Sequence, residues 1–162
     1  MPPAIAGLRT RPQPMPPLVA EARLLLACTE APGTGCPDDL QATVDRDLAA
    51  AVRRNDPQLL WVRTLRAQVE LRHGKPELAR TGLATAIENA SRELPPTHPR
   101  LLAAQLWLAI ATARTGDCAA ASARASAARR IIEASRLDGH PVLAGPEATL
   151  HQPIATCVAL PN

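Results

Sequence analysis

Pro57, Pro99 and Pro141 follow one another at intervals of 42 residues, and Gly74 and Gly116 share that interval. A proline suits the first turn of a helix, where its missing N–H has no partner to lose, and a glycine ends a helix by accepting a left-handed backbone. Each period therefore opens a helix and closes it 17 residues later. Ala67 and Ala109, Ala79 and Ala121, and Ala86 and Ala128 keep the same spacing, and the dipeptides His98-Pro99 and His140-Pro141 recur whole. A period of this length holds two helices and two turns, so the chain is expected to be a row of helical hairpins, each leaning on the next to bury its apolar face.

The composition agrees. The chain has 162 residues, 32 of them Ala and 17 Pro, with Trp61 and Trp107 as its only aromatics. A core without Phe or Tyr must be built from Leu, Ala, Val and Ile, and an Ala- and Leu-rich chain favours helices over strands. Small residues at Ala67, Ala79, Ala109 and Ala121 fit helices joined by very short turns, where backbones must approach closely. Leu60, Val62, Leu65, Val69, Leu83 and Ile87, then Leu102, Leu106, Leu108 and Ile110, fill the space within and between hairpins.

Along the chain, residues 1–17 carry six prolines and read as a flexible leader. Residues 18–56 form a diverged first unit: a helix from Leu18, a break at PGTG, and a second helix opened by Pro37, Asp38 and Asp39. Residues 57–98 and 99–140 are the two clear units. Helices are expected from Pro57 to about His73, Pro76 to Arg92, Pro99 to Gly116 and Asp117 to Arg136. In residues 142–162, Gly145, Pro146 and Pro153 predict an irregular tail with a seventh helix short or absent.

With Asp56-Pro57, Ala67, Gly74-Lys75, Ala79 and Ala86, followed by His98-Pro99, Ala109, Gly116-Asp117, Ala121 and Ala128, residues 18–141 resemble the tetratricopeptide repeat in its 42-residue, kinesin-light-chain-like form. Arg63, Glu70, Gln105, Thr112 and Ala125 depart from the large groups usual in that family. The resemblance implies an all-α, right-handed α-solenoid of about three antiparallel hairpins that binds a protein or peptide. The Ala/Arg-rich composition and the trailing HP-x-L also look like the C-terminal repeats of bacterial serine/threonine protein kinases. Kinase motifs themselves are absent, so the chain is expected to be at most a regulatory tail of such a protein or of a transcription regulator. A HEAT-like solenoid and a closed helical bundle with coincidental spacing are the competing architectures.

Nothing in the sequence assembles chemistry. The four histidines are scattered, with His73 near a helix end, His98 and His140 before helix starts and His151 in the tail. The carboxylates of Asp45, Asp47, Glu70, Glu88 and Glu133 sit among arginines as solvated helix faces do. No metalloprotease, nucleophile-elbow or calcium-loop motif occurs, so no enzyme activity, cofactor or metal is expected. The net charge of +3 comes from 18 basic residues interspersed with 15 acidic ones, which does not point to nucleic acid. No apolar run reaches the ~20 residues of a membrane span, and the first residues have no secretory leader pattern. A cytoplasmic location is the default expectation, with a periplasmic one if the chain belongs to a membrane-anchored kinase.

Two features invite a site. The family register places Trp61, Thr64, Gln68, Leu71 and Arg72, then Ala103, Leu106, Ile110, Ala113 and Arg114, on a concave face. Of these, Trp61, Gln68, Arg72, Leu106, Ile110 and Arg114 are the candidate groove for a peptide carrying an acidic group, with Arg72 and Arg114 as a clamp. The competing reading makes the arginines helix-end partners of the local dipole and buries Trp61 and Trp107 between hairpins. Separately, Cys28 and Cys36 flank a tight helix junction and form a candidate disulfide, or else serve there as two small apolar residues.

Overall fold

The computed structural model describes Arg46 and residues 59–158, and there the fold is all-α. Helices α1 (Leu59–Arg72), α2 (Pro76–Ala90), α3 (Pro99–Arg114), α4 (Cys118–Ala134) and α5 (Pro141–Val158) pack into a compact bundle. The leader at 1–17, the diverged unit at 18–56 and the Cys28–Cys36 pair lie outside the described residues.

The punctuation works as its chemistry requires. Gly74 and Gly116 take φ of 68° and 91°, the left-handed conformation that ends a helix. The Lys75 amide then donates to the Glu70 carbonyl at 2.8 Å, and the Gly116 amide to Ala113 at 3.0 Å. Across these tight turns Ala67, Ala79, Ala109 and Ala121 are all buried, because neighbouring backbones leave room for a methyl group and little more.

Helix α3 is the centre. It packs against each of the other four described helices, whereas α1 and α2 do not touch α4 or α5. Its sequence explains this: Leu101 to Ala104, Leu106 and Leu108 to Ala113 are buried, an apolar surface almost all the way round. Thr112 shares that burial without an orphaned hydroxyl, since Oγ1 donates to the Leu108 carbonyl at 2.7 Å; Thr64 of α1 does the same to Leu60 at 2.8 Å.

The expected irregular tail is instead the 18-residue helix α5, with Pro146 and Pro153 inside it. Each interior proline deletes an N–H and strains the turn before it, at a cost of about 3 kcal/mol or more. The offset is burial. Leu143, Pro146 and Leu150 are buried, and Pro153 and Cys157 are half-buried, at spacings of three and four residues that place all five on one face. That face meets α3, and a disulfide from Cys157 to Cys118 ties the helix's last turn to the first turn of α4. The prolines are thus part of the packing stripe that holds the helix down.

Candidate functional site

Of the six residues of the expected groove, the structure buries two, leaves Arg72 and Arg114 exposed, and half-buries Trp61 and Gln68. Leu106 and Ile110 are each 0% exposed and belong to the core around α3, so neither presents an atom to a partner. Their positions face inward because α3 packs against each of the other four described helices. Trp61 is half-buried at the start of α1, with the Arg100 guanidinium over its ring at 5.5 Å from the centroid. Gln68 Nε2 reaches back along its own helix to the Thr64 carbonyl at 3.5 Å.

The two arginines differ as well. Arg72 ends α1 on an exposed position, while Arg114 at the end of α3 donates from Nη1 to the Leu71 carbonyl oxygen at 3.0 Å. A carbonyl in the last turn of a helix lacks its donor four residues on; this one takes the Gly74 amide at 3.3 Å, and the guanidinium adds a second, shorter bond while complementing the helix dipole. Arg114 therefore serves the helix-end role that competed with the clamp, although the helix it serves is a neighbouring one. Trp107 is half-buried against the core beside Gly145 of α5, where a Cβ would meet its Cζ2 at 3.9 Å.

His98 and His140 show what the recurring His-Pro pair does. His98 Nδ1 accepts the Arg100 amide and His140 Nδ1 accepts the Val142 amide, both at 3.3 Å. Each imidazole takes up one of the free donors of a helix start, in the way an Asp or Ser cap does. Asp117 fills the same office for α4, Oδ1 accepting the Ala120 amide at 3.1 Å. In both histidines Nδ1 must then be the unprotonated nitrogen.

Among the described residues, Glu70 is a carboxyl whose surroundings shift its titration. Burial pushes its carboxyl above the ordinary glutamate range, partly opposed by Arg66, whose Nε lies 3.4 Å from Oε1. Two further carboxylate pairs, Glu77 with Arg80 at 2.8 Å and Glu88 with Arg92 at 3.0 Å, are solvent-exposed and lie one helical turn apart. Such pairs solubilise a helix face and stabilise it slightly.

The feature that sequence reading passed over is at the other end of the molecule's chemistry. Cys118 and Cys157, with Cα atoms 5.3 Å apart, form a disulfide across 39 residues. Both are half-buried, and with Arg114, Gln152, Pro153 and Thr156 they line a cavity of about 420 Å³ between the ends of α3 and α5 and the start of α4. The period carried a signal for it: Cys157 stands 42 residues after Thr115, so it must lie at the same end of the bundle as the turn from α3 to α4. Among the described residues no group of three or more His, Cys, Asp or Glu gathers to hold a metal, and no helix is long and apolar enough to cross a membrane. No family model, curated protein or solved structure matches the chain.

Proposed function

We propose that this chain is a non-catalytic structural module, a helical bundle whose apolar side chains serve its own core. The observation that carries this reading is the complete burial of Leu106 and Ile110, which removes the apolar floor from the peptide groove expected between Arg72 and Arg114. Leu78 is the exposed large hydrophobic among the described residues, 58% accessible. A single exposed leucine is ordinary for a folded surface.

One observation favours a second reading, a tetratricopeptide-like protein-binding scaffold, detached or as the regulatory tail of a kinase or transcription regulator. The α1–α2 pair meets α4 and α5 only through α3, as successive hairpins in a stack would. A partner acidic in character would then be held by polar contacts at exposed Arg72 and half-buried Gln68 and Trp61. The experiment is affinity capture on the immobilised full-length chain, compared quantitatively with the Arg72→Glu/Arg114→Glu variant after both are shown to be folded. The structural reading expects the same recovered proteins from both; a partner recovered by the wild type and lost from the variant replaces it with the scaffold reading.

A further inference from the structure

We propose that Cys118–Cys157 is a thiol–disulfide exchange site whose cavity admits a small thiol bearing a carboxylate, with Arg114 pairing that carboxylate. Three observations converge. Both cysteines are half-buried and line an open cavity, so a small nucleophile reaches the bond without the helices separating. At about 420 Å³, the cavity lies in the range that takes small organic ligands. Arg114 lines the same cavity and spends Nη1 on the Leu71 carbonyl, which leaves the other donors of its planar fork for an anion.

The polarity of the bond follows from where its two halves sit. Cys118 is the first residue of α4, where the positive end of the helix dipole favours a thiolate; Cys157 lies in the last turn of α5, where the dipole does not. Asp117 beside Cys118 is occupied in capping the Ala120 amide. The incoming thiolate therefore attacks Cys157 Sγ. A sulfur–sulfur bond forms between the small thiol and Cys157, the Cys118–Cys157 bond breaks, and its electron pair leaves on Cys118 as the stabilised thiolate. A second small thiolate attacks the sulfur of the bound one, releasing a small-molecule disulfide and the Cys157 thiolate, which takes a proton from water. Two electrons pass from two thiols to the protein. Cys157 Sγ already lies 3.5 Å from the Ala113 carbonyl oxygen, so the protonated thiol gains a hydrogen-bond acceptor in place.

The consequence is a change in how α5 is held. Its last turn is covalently bonded to α4 in the oxidised chain and is held by packing without that bond once it opens.

The test measures opening of the bond in the folded full-length chain by 3-mercaptopropionate and by neutral 2-mercaptoethanol, with differential alkylation and peptide mapping to follow each cysteine. Each rate is divided by the same thiol's rate on a small linear disulfide. The expected result is a preference for the carboxylate thiol of about two- to fivefold, the scale of one partly exposed ion pair, with the transient adduct mapped to Cys157. The preference disappears in Arg114→Gln and shrinks in the wild type as salt is raised, the second arm standing if the variant does not fold. The proposal is overturned by opening that keeps pace with global unfolding across denaturant, by a preference that survives salt or Arg114→Gln, or by an adduct on Cys118.

Discussion

Arg114 Nη1 lies 3.0 Å from the carbonyl oxygen of Leu71, joining the last turns of α3 and α1 across 43 positions of sequence. The contact shows that the two helices run the same way with their C-termini together. Cys157 beside Ala113 adds the end of α5 to that cluster, and Arg100 over Trp61 brings the starts of α1 and α3 together at the opposite end. Helices α1, α3 and α5 thus form one parallel set, with α2 and α4 returning between them.

Removing this contact tests whether it contributes to stability. Arg114→Ala leaves the Leu71 carbonyl with the longer Gly74 amide, at 3.3 Å, as its protein donor and is expected to cost ~1 kcal/mol, the worth of a hydrogen bond at a partly exposed helix end. Urea unfolding followed by circular dichroism reads it directly. Arg114→Lys should recover only part of the loss, because an ammonium on a flexible stem lacks the fixed planar fork.

His98 and His140 provide a matched pair of caps. His98→Ala and His140→Ala are each expected to lose about 0.5–2 kcal/mol, whereas Asn, a good cap in its own right, should retain most of it. Equal losses from both alanine variants would identify capping as the purpose of the repeated dipeptide. If alanine and asparagine were indistinguishable at both sites, the imidazole bonds would have no energetic role.

At Gly116 a Cβ would meet nothing within 4 Å, yet φ is 91°. Any cost of Gly116→Ala therefore comes from the backbone alone, and about 1–2 kcal/mol is expected. The loss should appear in thermal unfolding with no change in the helical spectrum. Gly82, which sits in α2 without a positive φ and also has open space, is the contrast: Gly82→Ala should stabilise the chain by about 0.5–1 kcal/mol.

These glycines and histidines also show what the sequence made legible. Helix boundaries from α1 to α4 follow from local chemistry, because a proline, a positive-φ glycine or a cap acts within a few residues of itself. The core alanines follow from the period. What could not be read locally is which face of α3 stays open: the same register suits a groove and a buried centre, and the packing of the other helices around α3 decides for Leu106 and Ile110. The α5 helix was hidden for the same reason, since Pro146 and Pro153 are breakers by propensity and become tolerable only through the stripe they share with Leu143 and Leu150. The Cys118–Cys157 pairing depends on that helix in turn, so missing one meant missing both.

Glu70 gives the chain a pH dependence with a definite sign. Burial holds its carboxyl above the ordinary glutamate range, so the folded chain binds that proton more tightly than the unfolded chain does. Above the folded value both states carry the charge, and folding bears the cost of burying it. As pH falls through the folded value and then the unfolded one, both states become neutral and the cost vanishes. Glu70→Gln should accordingly be at least as stable as the wild type at neutral pH, with the two curves converging below about pH 4. A variant clearly less stable at neutral pH would mean that the Arg66 pair outweighs the burial.

Ile110 separates the core from the groove most sharply. Both readings put it on α3 one turn from Leu106, but they expect different damage. A groove residue can be truncated with little loss of stability and a large loss of binding. A residue that is 0% exposed leaves a cavity when truncated, because the helices packed against α3 cannot collapse fully into the gap, and Ile110→Ala should cost about 2–5 kcal/mol. Ile110→Val, which keeps the branch and removes one methylene, should cost about 0.5–1.5 kcal/mol. Chemical denaturation of the two variants would show this graded series. A flat series, with both variants as stable as the wild type, would return Ile110 to the surface and restore the apolar floor that the groove needs.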